Sequence, residues 1–131
     1  MPAIRIVLAD DSRALLIEVT AKLAEEFEIV GSAEDGEGAI KVVERTEPDV
    51  LILDISMPLL NGLQVAARLS ENVRHAKIVF LTIHEQPAYI SAAFSAGGSA
   101  YVTKRHLATD LVPAIRAVMN DQTFVSPSLS K

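Results

Sequence analysis

The chain has 131 residues, which suits one ordinary domain and is too short for two full-sized ones. Hydrophobic residues make up 50% of it and charged residues 22%, a balance typical of a globular protein and not of a disordered one. The net charge of −5 argues against direct DNA binding, because affinity for a phosphate backbone needs a broad basic surface.

Two absences narrow the class of protein further. Cysteine is missing, which excludes disulfides, thiolate zinc sites and cysteine nucleophiles. No apolar run approaches the roughly 18 residues that a membrane span needs, and the first residues lack the pattern of a signal peptide. We therefore expect a cytoplasmic protein without a targeting or membrane segment.

Short apolar runs alternate along the chain with segments whose apolar residues have helical spacing. The predicted strands are at 4–9, 29–33, 50–53, 78–81 and 100–102. A helix follows each of them. In chain order, the helices are one with Leu16, Val19, Leu23 and Phe27 on one face, one at 36–45, one with Gly62, Val65, Ala66 and Leu69, one at 87–96, and one with Leu111, Ala114, Ile115 and Val118. Five strands and five helices are expected.

This alternation predicts an α/β fold with a doubly wound parallel sheet, because right-handed crossovers place helices on both faces. Residues 1–121 are predicted to form the domain. Residues 122–131 contain Ser-Pro-Ser and no helical pattern, so we interpret them as a C-terminal tail or linker.

Polar residues follow four of the predicted strands, at the sheet edge where such folds bind ligands. Asp10 and Asp11 follow the first strand, Asp54 the third, Thr82 the fourth and Lys104 the fifth. Three close carboxylates repel one another unless a cation neutralises them, and an all-oxygen site suits Mg²⁺, with Mn²⁺ as a substitute. A carboxylate beside a cation and a lysine can attack phosphorus and form an acyl phosphate.

The set Asp10-Asp11, Asp54-Ile55-Ser56-Met57-Pro58, Gly62, Thr82 and Lys104, in this order and spacing, resembles the receiver domain of two-component response regulators. The resemblance covers 4–119. It implies a flavodoxin-like (βα)5 three-layer sandwich with a five-stranded sheet in the order 2-1-3-4-5.

The resemblance also implies a role for each matching residue. Asp54 is expected to be phosphorylated with Mg²⁺ present; the expected metal ligands are Asp10, Asp11, Asp54 and the Ser56 carbonyl, with Asp10 acting mainly through water. Thr82 and Lys104 are expected to bind phosphoryl oxygens. Withdrawal of Thr82 then vacates space that Tyr101 fills, and this changes a partner surface within 88–119. The domain is expected to catalyse only its own phosphorylation and dephosphorylation.

The same resemblance implies the partners. A sensor histidine kinase, a phosphotransfer protein or a small phosphodonor supplies the phosphoryl group, and a homodimer through the 88–119 face is one expected assembly. The stretch 124–127 is similar to those that join receivers to helix-turn-helix output domains. We therefore expect control of transcription, with DNA contacted only through an output domain that the sequence does not contain.

Two residues depart from the family pattern. Ile83 stands where a small residue is general, and Arg105 stands where proline is common and helps to aim the lysine. They motivate an alternative, a receiver-like interaction module that acts without phosphorylation. Ser56, Ile83 and His84 lie where side chains would tune the lifetime of the phosphate, His84 by shielding or orienting water.

Other functions fit the sequence less well. A hydrolase or phosphatase would use Asp54 as a transient nucleophile, but such enzymes typically have a second aspartate at the position of Ser56. A nucleotide or flavin site would need a glycine-rich loop after the first strand, and this sequence has none there. His75, His84 and His106 show no spacing typical of metal ligands.

Overall fold

The computed structural model describes residues 3–72 and 76–129, and the secondary structure within these ranges alternates between strand and helix. The strands are β1 (Arg5–Ala9), β2 (Glu28–Ala33), β3 (Val50–Leu53), β4 (Lys77–Thr82), β5 (Ala100–Thr103) and β6 (Phe124–Val125). The helices are α1 (Arg13–Leu23), α2 (Gly36–Thr46), α3 (Gly62–Asn72), α4 (Pro87–Ser95) and α5 (Leu107–Met119), with single 3-10 turns at Lys104–His106 and Pro127–Leu129.

All strand pairs in the sheet are parallel, and the spatial order is β2-β1-β3-β4-β5-β6. The predicted order of the first five strands is confirmed, but the predicted count of five is corrected to six. Phe124 and Val125, inside the predicted tail, pair with Ala100 and Tyr101 at the outer edge of β5. A two-residue strand is too short to carry a hydrophobic period, so its sequence gave no sign of it.

The sheet is covered on both faces, as a doubly wound fold requires. Successive residues of a strand point to opposite faces, so Ile6 and Leu8 belong to one cluster and Val7 and Ala9 to the other. The first cluster packs against α1 and α5 through Leu16, Val19, Leu23, Leu111, Ala114, Ile115 and Val118. The second packs against α2, α3 and α4 through Ala39, Val42, Val43, Val65, Ala66, Leu69 and Ala93.

The loop after β3 is held close to the strand end by Gly62. The Gly62 N–H donates to the Ile55 carbonyl oxygen at 2.7 Å. A Cβ at this position would lie 2.0 Å from the Asp54 carbonyl oxygen, so only glycine fits without displacing the loop. This close approach fixes the backbone around Asp54.

Helix α1 begins at Arg13, shortly after the two aspartates that follow β1. Ser12 caps it, since its Oγ accepts the Leu15 N–H at 3.2 Å. Asp10 Oδ1 accepts the Ser12 N–H at 2.8 Å, which orients the Asp10 carboxylate. Among the helices of the described residues, none is long and apolar enough to cross a membrane.

Candidate phosphoacceptor site

Three carboxylates converge at the carboxyl ends of β1 and β3. Asp10, Asp11 and Asp54 each place a carboxylate oxygen within 4.8 Å of the others. Asp10 and Asp54 are buried, whereas Asp11 is exposed. Within residues 3–72 and 76–129 this is the one group of three such ligands, and neither His84 nor His106 joins it. His75 lies outside the described residues.

Lys104 supplies the positive charge of the cluster. Its Nζ lies 2.8 Å from Asp10 Oδ2 and 3.1 Å from Asp54 Oδ2, and its side chain is only 20% exposed. Burial raises the pKa of the Asp10 carboxyl, and the Lys104 hydrogen bond opposes that rise without cancelling it. Burial also disfavours the charged form of Lys104, but its bonds to the two aspartates prevail and raise its pKa.

The acidic cluster suits a hard divalent cation. Its possible metal ligands are carboxylate oxygens. The single ammonium of Lys104 cannot neutralise the charge of three carboxylates, two of which are buried. Such a donor set is compatible with Mg²⁺, which prefers carboxylate, carbonyl and water oxygens.

Thr82 ends β4 and is fully buried beside the cluster's edge of the sheet. Its Oγ1 accepts the His84 N–H at 3.4 Å. On the other side, Asp54 Oδ1 accepts the Ile55 N–H at 2.7 Å, which leaves Oδ2 toward Lys104. The structure therefore brings together the side chains of Asp54 and Lys104, with Thr82 held by the loop that follows its own strand.

Tyr101 is fully buried in β5. Its hydroxyl donates to the His84 carbonyl oxygen at 2.7 Å, and its ring lies 6.3 Å from that of Phe80. Burial raises the pKa of the Tyr101 phenol, and the negative charge of Asp54 raises it further by a smaller amount. The Tyr101 side chain is therefore in a buried orientation in this structure.

His84 contacts each part of the predicted switch. Besides its backbone bonds to Thr82 and Tyr101, its Nε2 lies 2.8 Å from Ser56 Oγ. Its ring stacks on Tyr89 with centroids 4.2 Å apart and planes 12° apart. The contact with Tyr89 was not predicted, because the two residues have no motif in common.

The two departures from the family pattern have different surroundings. Ile83 is 69% exposed and so does not fill the site. The described part of the chain has no cis peptide bond, yet Lys104 reaches both Asp10 and Asp54. Arg105 forms two hydrogen bonds to Glu85, a residue that the sequence analysis did not single out.

The family description "Response regulator receiver domain" matches residues 6–116. The chain is 33% identical over 97% of its length to the transcriptional regulatory protein DegU of Brevibacillus brevis, covering 55% of that protein. It is 35% identical over 96% of its length to the transcriptional regulatory protein DesR of Bacillus subtilis, covering 63% of it. It thus spans little more than half of these relatives.

Solved structures agree with this match. A two-component response regulator of the LuxR family from Aurantimonas sp. SI85-9A1 superimposes with a TM-score of 0.89 at 30% identity, covering 98% of this chain and 94% of that one. The isolated REC domain of RcsB from Salmonella enterica serovar Typhimurium, with phosphomimetic BeF3⁻, gives 0.90 at 26% identity, covering 98% and 97%. The chain belongs to the response regulator receiver domain family.

Proposed function

We propose that this receiver domain accepts a phosphoryl group on Asp54, from a sensor histidine kinase, a phosphotransfer protein or a small phosphodonor. The observation that carries the proposal is the position of the Lys104 ammonium, 3.1 Å from Asp54 Oδ2 at the end of β3. A buried carboxylate beside a fixed cation is suited to attack phosphorus, where negative charge accumulates.

The chemistry is a displacement at phosphorus. An Asp54 carboxylate oxygen forms the new O–P bond while the bond from phosphorus to the donor's leaving group breaks, and that group departs with the electron pair. The product is an aspartyl phosphate, and its hydrolysis restores the carboxylate. Lys104 pairs with the transferred group and lowers the energy of the developing charge. The domain then turns over only its own phosphoryl group.

We assign the cation site to Asp10, Asp11 and Asp54 with the Ser56 carbonyl oxygen, and the ion to Mg²⁺, with Mn²⁺ as a substitute. A bound divalent ion would screen the charge of the donor and of the transferred group. Asp10 and Asp54 both contact Lys104, so the ammonium and the ion share these ligands.

The switch that we propose passes through His84. Phosphorylation adds a charge of about −1.5 to −2 and new acceptor oxygens, toward which the Thr82 hydroxyl turns. That movement would break the bond between Thr82 Oγ1 and the His84 N–H, which is 3.4 Å long. Because the His84 carbonyl holds the Tyr101 hydroxyl, the change reaches β5 and the 88–119 face.

We propose that Ser56, Ile83 and His84, in the loops that follow β3 and β4, set the lifetime of the phosphate. The bond between Ser56 Oγ and His84 Nε2, 2.8 Å long, links the loops after β3 and β4. We infer that this bond restricts the approach of water to Asp54 from the side of these two loops. The lifetime therefore depends on how often this bond opens.

The output is transcriptional control in the cytoplasm, exerted through an additional DNA-binding domain, with dimerisation through the 88–119 face. Relatives named as transcriptional regulators support this. So does a solved structure described as two RcsB dimers bound to two parallel DNAs, of which the chain covers 67% at 26% identity.

Borohydride trapping tests the phosphoacceptor. The protein is incubated with acetyl phosphate and Mg²⁺ and then with borohydride, which reduces an aspartyl phosphate to the homoserine side chain. Peptide mass spectrometry should find homoserine at position 54 and unchanged aspartate at positions 10 and 11. Reduction at another aspartate would overturn the assignment to Asp54. Reduction at no aspartate would favour the phosphate-independent module.

A further inference from the structure

A polar network binds the residues on both sides of Lys104. The Thr103 hydroxyl donates to Glu85 Oε2 at 2.8 Å. From the other side, Arg105 Nε donates to Glu85 Oε2 at 3.0 Å and Arg105 Nη2 donates to Glu85 Oε1 at 2.8 Å. One carboxylate from the loop after β4 therefore holds the residue before Lys104 and the residue after it.

The network combines a buried hydroxyl with a two-point ion pair. Thr103 is fully buried, and the Glu85 side chain is 33% exposed. The hydrogen bonds from Arg105 and then from Thr103 lower the pKa of Glu85 to about 2, so the carboxylate is ionised at neutral pH. A two-point bond between a guanidinium and a carboxylate fixes orientation as well as distance.

Thr103 is also anchored from the opposite side. Its backbone N–H donates to Ser126 Oγ at 3.1 Å, and the Ser126 N–H donates to the Tyr101 carbonyl oxygen at 2.9 Å. Both Thr103 and Ser126 are fully buried. These bonds fix Thr103 at the end of β5. Because Glu85 binds both Thr103 and Arg105, it also fixes Arg105 relative to the strand, on the other side of Lys104.

Lys104 needs such an anchor because its long side chain loses rotamer freedom when its ammonium is held between Asp10 and Asp54. Where the family commonly has proline, whose ring restrains the backbone, Arg105 leaves the backbone freer. The hydrogen bonds between the Arg105 side chain and Glu85 restrain the backbone after Lys104 in place of the proline ring.

We propose that Glu85 is a positioning residue: by binding Thr103 and Arg105 it fixes the backbone on both sides of Lys104 and holds the Lys104 ammonium at Asp54. The inference rests on the proposed function only where it concerns phosphoryl transfer. The placement of Lys104 by Glu85 is testable without phosphate.

The first experiment measures how well Lys104 is protected. The protein is treated with trace acetic anhydride, and the acetylation rate of each lysine is read by peptide mass spectrometry. Glu85→Gln should raise the rate at Lys104 about fivefold, a coupling of ordinary size for linked polar groups, and leave Lys22, Lys41 and Lys77 unchanged. Glu26→Gln is the matched control, since Glu26 forms an exposed ion pair with Arg116, at 2.7 Å, away from Lys104. An unchanged rate at Lys104 would overturn the inference.

The second experiment asks whether Glu85 acts through Lys104. Initial rates of Mg²⁺-dependent phosphorylation by acetyl phosphate are compared in the unsubstituted protein, Glu85→Gln, Lys104→Ala and the double variant. Glu85→Gln should slow the reaction about fivefold when Lys104 is present and leave it within about twofold when it is absent. Equal slowing in both backgrounds would show that Glu85 acts independently of Lys104 and overturn the inference. Absence of any phosphorylation of the unsubstituted protein would refute the proposed function instead, with the acetylation rates still deciding the role of Glu85.

Discussion

The Tyr101 hydroxyl donates a hydrogen bond of 2.7 Å to the carbonyl oxygen of His84, whose N–H donates to Thr82. A side chain of β5 and a residue of the loop after β4 are thereby joined at the edge of the sheet that holds Asp54, the proposed phosphoacceptor. This bond links the site to the face of the domain that we assign to partners.

Tyr101→Phe should reduce stability, because the ring stays buried while the His84 carbonyl loses its donor. Leaving one acceptor unpaired in a part-buried position costs about 1–3 kcal/mol in the free energy of unfolding. Urea unfolding followed by circular dichroism measures it. A variant as stable as the unsubstituted protein would mean that the bond contributes nothing to the buried orientation of Tyr101.

Lys104→Met should strengthen Mg²⁺ binding. The Lys104 ammonium contacts Asp10 and Asp54, two proposed ligands of the ion, so its removal relieves both competition and repulsion. We expect affinity to rise on the order of fivefold to tenfold, the effect of about 1 kcal/mol between nearby charges under partial screening. Isothermal titration calorimetry measures the change, with Lys41→Met on the exposed side of α2 as the control. Weaker binding in the Lys104 variant would contradict the shared-ligand arrangement.

The ion pair of Glu85 should give a distinctive dependence on pH. The folded-state pKa of Glu85 is lowered from 4.5 to about 2, so its stabilising effect is complete above about 4.5 and is lost as the pH falls toward 2. The difference in thermal midpoint between the protein and Glu85→Gln should therefore be constant from pH 7 to about 5 and shrink below that. The difference should also shrink in high salt, since the pair is solvent-accessible. A difference that grows on acidification would have the wrong sign.

Ser126→Ala should show that the segment after α5 is part of the fold. The substitution removes the acceptor of the Thr103 N–H, and a buried donor left unpaired costs about 1–3 kcal/mol. Ser128→Ala, at an exposed serine two residues on, should change stability by no more than about 0.5 kcal/mol. Equal effects of the two substitutions on the urea midpoint would mean that the bond to Thr103 is not formed in solution.

The sequence predicted β1, β3, β4 and β5 well because each is a short apolar run in a sheet covered on both faces. The third strand was predicted at 50–53 and is observed at Val50–Leu53. The fourth was predicted at 78–81 and extends one residue further at each end, to Lys77 and Thr82, since backbone pairing continues past the apolar run. β6 escaped prediction because its position depends on backbone bonds to Ser99 and Tyr101, which no local pattern encodes.

At the site, the residues that follow strands could be found from the sequence, whereas the contacts between loops could not. Asp54 and Lys104 were expected to meet because parallel strands end at one edge. The bonds from Glu85 to Thr103 and Arg105 join residues 18 and 20 positions apart, through side chains that would read as ordinary surface residues. Only the folded arrangement of the two loops brings them together.

Intact-protein mass after treatment with acetyl phosphate, with and without Mg²⁺, measures whether Asp54 accepts a phosphoryl group. We expect a gain of one phosphoryl group that requires Mg²⁺ and is lost in Asp54→Asn. A beryllofluoride titration accompanies it, so that rapid hydrolysis is not mistaken for lack of reaction. A gain that persists in Asp54→Asn, or the absence of both a mass change and beryllofluoride binding, would refute Asp54 as the phosphoacceptor.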